Sequence, residues 1–88
     1  MVYVTMTDSF MSGWGHAENK INKLIFECKD LKEAHVVMDN AKHRADMKYI
    51  DLCYKKPYYN KNRYYAQIKT NQDYSSWYKP NFFNKSFK

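Results

Sequence analysis

Asp30-Leu31-Lys32-Glu33 opens the one stretch of this chain with a sustained helical period. Asp30 is placed to cap the free N–H groups of a first turn, and Glu33 stands at the capping-box position. Leu31, Ala34, Val37, Met38 and Ala41 then recur at helical spacing and give one apolar stripe. Lys42, His43 and Arg44 close the pattern where positive charge suits the macrodipole. The spacing predicts a helix over 31–45. One helix in a chain of 88 residues covers only one face of what it packs on, so the remainder must build a sheet.

Four stretches read as strands: VYVTMT (2–7), KLIFEC (23–28), MKYIDLCY (47–54) and RYYAQIKT (63–70). Between the first two lies a long loop over 8–22 that holds both glycines of the chain, flanking Trp14. Asn60-Lys61-Asn62 is turn-forming, so KKPYYNKNRYY reads as a basic, tyrosine-rich hairpin with Pro57 at a bulge or edge. The expected fold is α+β: a ββαββ order with a four-stranded, mostly antiparallel sheet and one helix on one face. Residues 1–71 form this core. Residues 72–88, aromatic and basic without a clear period, form a segment packed on or near the sheet.

Strand alternation then divides the sheet. Val2, Val4, Met6, Leu24, Phe26, Ile50, Leu52, Tyr64, Ala66 and Ile68 are assigned to the helix side. Tyr3, Thr5, Ile25, Glu27, Tyr49, Asp51, Cys53, Tyr65, Gln67 and Lys69 are assigned to the other. Such a half-polar, tyrosine-bearing face suits stacking of single-stranded bases. A covering role for Trp77, Phe82, Phe83 and Phe87 of the C-terminal segment, or for a second subunit, competes with that reading. Cys28 and Cys53 fall on opposite faces, which argues against a disulfide between them.

Charge is informative by halves. Residues 1–54 carry seven Lys/Arg and eight Asp/Glu, whereas residues 55–88 carry eight Lys/Arg and only Asp73. Ten of the sixteen aromatics also follow residue 54. A basic, aromatic third on a neutral body points to an anionic partner: nucleic acid, a nucleotide or an acidic protein surface. A chain of this size has a modest core, so a homo-oligomer is expected. No run of roughly 18 apolar residues is present, and the N-terminus lacks the pattern of a signal peptide. The expected location is cytoplasmic, away from the membrane.

Two clusters carry the candidate site. The first is the Gly-Trp-Gly loop, where Trp14, His16 and either Lys20 or Lys23 combine a ring, an imidazole and an ammonium beside backbone N–H groups that glycine can turn toward an anion. A loop pinned by a buried Trp14 is the competing reading. The second comprises Lys55, Lys56, Lys61, Arg63, Lys69 and Lys79 interleaved with Tyr58, Tyr59, Tyr64, Tyr65, Trp77 and Tyr78, with cations for phosphates and rings for bases. The same composition also suits anchors in a protein interface. His35, Asp39 and His43 lie four apart, yet a structural metal site needs a fourth ligand, so no metal and no cofactor is expected. Ser9, Ser12, Ser75 and Ser76 lack a base-orienter pair, and no phosphate-loop or dinucleotide pattern occurs. The chain therefore reads as non-enzymatic.

VYVTMTD, SGWG, DNAKHRADMKYI and YSSWYKP together resemble short open reading frames of tailed bacteriophages. The resemblance spans most of the chain and carries no functional residues with it. It implies a small phage protein acting in the host cytoplasm. It further implies a non-enzymatic binder, including the possibility of an inhibitor of a host or antiviral defence complex.

Overall fold

The computed structural model describes residues 1–9, 20–44 and 46–83. In chain order they form β1 (Val2–Asp8), β2 (Ile21–Cys28), α1 (Leu31–Lys42), β3 (Met47–Cys53), β4 (Tyr64–Lys69) and a short 3-10 helix at Ser75–Tyr78. The strands make one mixed sheet in the order β3-β1-β2-β4. β1 is antiparallel to both of its neighbours, and β4 runs parallel to β2. The fold is α+β, with the single helix expected.

The helix starts where its cap dictates. The Asp30 carboxylate accepts from the Glu33 N–H at 2.9 Å, and the Glu33 carboxylate accepts from the Lys29 N–H at 2.9 Å. That bond reaches one residue earlier than in a standard capping box. The helix ends at Lys42 rather than residue 45, with His43 as its cap. Ala34, Val37 and Ala41 are fully buried on Val4, Met6, Phe26 and Cys28, while Leu31 is exposed and Met38 half-buried. Asn40 takes a place on the buried stripe that an apolar residue would normally hold.

The C-terminal segment packs on the helix side. Trp77 lies 4.9 Å from the Phe26 ring and 4.9 Å from Phe83. Asn40 Nδ2 donates to the Trp77 and Lys79 carbonyls at 2.9 and 2.8 Å, and its Oδ1 accepts from the Phe83 N–H at 3.3 Å. One buried amide thus satisfies three backbone groups, which explains its presence among apolar side chains. The Tyr78 hydroxyl donates toward the carbonyls of Glu27 and Lys69. Phe83 therefore covers the helix side, and not the opposite face as one reading proposed. Phe87 lies outside the described residues.

The expected hairpin is replaced by a crossover. β3 and β4 occupy opposite edges, so residues 54–63 carry the chain across the sheet. That path spans three strand spacings, about 14 Å, and returns along roughly 20 Å of strand. Ten residues wound as a helix would reach only about 15 Å, so this connection must be extended. The face it crosses also follows from topology. The β2–α1–β3 connection moves toward one edge over one face. The return from β3 to β4 moves the other way, and it keeps the same hand only over the opposite face. There it forms a strap, with Pro57 in the strap rather than in a strand.

The crossover also inverts β4. Its register sets Tyr65 beside Asn22, Gln67 beside Leu24 and Lys69 beside Phe26, so these three join the helix side. Gln67 donates to the Asn22 side chain at 2.9 Å. Tyr64, Ala66 and Ile68 share the strap side with Ile21, Lys23 and Ile25, the reverse of the assignment made from a hairpin. A shift of one residue in parity exchanges every side chain between faces. Cys28 and Cys53 are free, and their pairings with Val2 and Tyr3 put them on opposite faces as expected.

A lysine- and tyrosine-lined groove beneath the strap

A groove of about 380 Å³ opens between the strap and the sheet. That volume lies at the small end of ligand sites, about 300–1,000 Å³. Ile25, Tyr64, Ala66 and Ile68 contribute from the strands, and Pro57, Tyr58 and Tyr59 from the strap. Lys20, Lys56 and Lys61 bring the positive charge. Among the described residues no carboxylate lines the groove. This one-sided electrostatics has a simple source, because no acidic residue occurs from Leu52 to Gln72.

Local chemistry shapes the strap. The Asn60 side chain accepts from the Asn62 N–H at 2.7 Å, and the Asn60 carbonyl accepts from the Arg63 and Tyr64 N–H groups. This turn aims the chain into β4, where the Arg63 carbonyl accepts from the Ile21 N–H. Tyr59 and Tyr64 meet with ring centres 5.3 Å apart. Lys23 Nζ lies 5.4 Å from the Tyr59 ring centre and 6.0 Å from that of Tyr49, within cation–π range. Burial lowers the Lys23 pKa below the ordinary lysine value, while the negative charges of Asp51 and Cys53 oppose that shift.

A second depression, about 400 Å³, is lined by Thr7, Ser9, Ile21, Lys23, Tyr49 and Tyr64. Tyr64 belongs to both. Tyr49 stands here because of a β-bulge: the β1–β3 register slips between Thr5 and Thr7, and Tyr49 and Ile50 together oppose Met6. Its φ is 54°, a left-handed value that costs a non-glycine residue roughly 1–3 kcal/mol. The residue remains 79 % exposed.

The expected site residues Lys20, Lys56, Tyr58, Tyr59, Lys61 and Tyr64 converge on the strap groove. Tyr65 borders it from β4, but its register with Asn22 turns its side chain to the helix side, a correction to the expected stacking role. Lys55 and Arg63 are exposed and lie outside its lining. Trp77 is placed apart from the groove, in the core against Phe26. Trp14 and His16 fall outside the described residues. Lys69 also sits elsewhere, donating to Gln67 and to the Tyr74 hydroxyl with its ammonium over the Tyr74 ring. Lys23 and Tyr64, one from each expected cluster, line the second depression together with Tyr49, which belonged to neither. Tyr49 carried a usable signal, since alternation placed it on this face. Among the described residues no cluster suited to a metal ion occurs. His35, Asp39 and His43 are exposed, and His43 Nδ1 lies 2.8 Å from the Asp39 carbonyl. No helix among the described residues is long and apolar enough to cross a membrane.

Comparison with protein-family models, with curated proteins and with solved structures returns no match.

Proposed function

We propose that this chain is a small, non-enzymatic, phage-encoded binding protein of the host cytoplasm. It engages an anionic ligand, single-stranded nucleic acid or a nucleotide-type molecule, in the groove beneath the strap. The observation that carries this reading is the groove's composition: Lys20, Lys56 and Lys61 beside Tyr58, Tyr59 and Tyr64, over Ile25 and Ile68, with no carboxylate among the described lining residues. Ammonium groups meet phosphate and aromatic faces meet bases, a pairing used where binding is sequence-tolerant.

A second reading has its own support. Tyr54 and Lys55 lie exposed beyond the groove, at the start of the strap. They extend the basic, aromatic surface in a way that suits an acidic protein, as in an inhibitor of a host or antiviral defence complex. Fluorescence anisotropy separates the two. Labelled single-stranded DNA or RNA is expected to bind at low salt, with a log–log salt slope of about −2 for three phosphate contacts. The double substitution Lys56→Gln/Lys61→Gln should flatten that slope. If DNA, RNA and free nucleotides all fail to bind at low salt, the groove reading falls and the protein-inhibitor reading replaces it.

A further inference from the structure

Tyr49 is an unusual place to spend a tyrosine. Its backbone is left-handed, the residue stands 79 % exposed, and a bulge in β3 sets it on the strap side. A ring so exposed adds little to the core, and glycine or asparagine would fit the backbone better. Bulges commonly re-aim a side chain next to a functional site. Here the ring overlooks the second depression, which shares Tyr64 with the strap groove. Between the two stands Lys23. Its Nζ distances of 6.0 and 5.4 Å put the ring centres of Tyr49 and Tyr59 no more than about 11 Å apart. Both rings therefore lie within reach of one short single strand, whose bases can be splayed out and stacked on aromatic side chains.

Resting on the nucleic-acid reading above, we infer that the ligand of this face is a single strand of at least two nucleotides. One base lies against Tyr59 and Tyr64 in the strap groove, another stacks on Tyr49, and Lys23 meets the phosphate between them. Asp51 and Cys53 both act on Lys23, and the Asp51 carboxylate opposes that phosphate. A mononucleotide fills only the first position.

The test compares thymidine monophosphate with short oligothymidylates by calorimetry. The wild type is expected to hold an oligomer that reaches both rings about tenfold more tightly than the mononucleotide, in line with one added base–aromatic stack. Tyr49→Asn keeps a residue that tolerates left-handed backbone and removes the ring. It should abolish the length-dependent gain and leave mononucleotide affinity unchanged, with an undiminished thermal midpoint. Asp51→Asn is the second variant, and it should raise affinity for the oligomer alone. If the gain persists in Tyr49→Asn and Asp51→Asn changes nothing, the two-position inference is overturned while the groove reading stands. If the wild type binds no nucleotide of any length, both are overturned.

Discussion

On the helix side, Phe26 is sealed by Trp77 at 4.9 Å and Tyr78 at 6.1 Å, and Asn40 fastens the covering segment through three hydrogen bonds. On the strap side, Tyr59 meets Tyr64 at 5.3 Å, yet Tyr58 stays 84 % exposed and Ile68 41 %. Both covers are short segments rich in aromatic residues, one carrying the 3-10 helix at Ser75–Tyr78 and the other extended. One is tied down by a buried amide and loses its rings to the core. The other is held by ring contacts and a lysine, and it keeps a groove open. The difference lies in where polar groups are satisfied: inside the protein on one face, and by solvent or a ligand on the other.

The largest effects should therefore fall on the helix side. Trp77→Ala is expected to cost about 3–5 kcal/mol in urea denaturation, as for other buried aromatics. A loss below about 1 kcal/mol would mean that the covering segment is not part of the core. Asn40→Ala leaves two carbonyls and one N–H without their partner, at about 1–3 kcal/mol for each group that water cannot reach. Removing Asn40 should also loosen Trp77, so a blue-shifted tryptophan emission lost in this variant would sharpen the contrast between the faces.

Alkaline pH should act on the same side. Burial pushes the Cys28 thiol up to about 12 from 9.0, and burial also raises the Tyr78 phenol. For Cys28 the stabilisation is complete below pH 9.0 and declines as pH rises toward about 12, because the unfolded chain releases its proton first. Tyr78 adds a loss of the same sign above its ordinary value of 10.0. Thermal midpoints across this range should fall more steeply in the wild type than in Cys28→Ala. Equal slopes would remove the buried thiol as a cause.

The smallest stability effects belong to the strap. Lys56→Gln and Lys61→Gln should each shift stability by no more than about 0.5 kcal/mol, since both are exposed. A large destabilisation by either would show that the strap is fastened by charge, and the contrast between the two covers would fail.

Much of this architecture is legible in the residues. Asp30 and Glu33 mark the helix start, and each strand falls within two residues of its expected ends. The partner of β4 is not legible, because the Asn60 turn serves a hairpin and a crossover alike and fixes only local direction. Parity followed partner, so Tyr64, Ala66 and Ile68 changed faces together. Asn40 hides for another reason: a polar residue in an apolar stripe declares itself only when the carbonyls it satisfies, 37 and 39 positions on, are in place. Expected site residues still met in one groove, because the crossover delivers the strap to the same face that a search for bases would choose.

The strap has a consequence for descent. Its ten residues shape the groove while the four-stranded ladder is built by others. Substitutions at Lys56, Tyr58 or Lys61 can alter what is recognised without disturbing how the sheet pairs or what Phe26 packs against. Recognition and architecture are thus inherited on separate stretches of the chain. A lineage under pressure to change its partner can rewrite one and conserve the other.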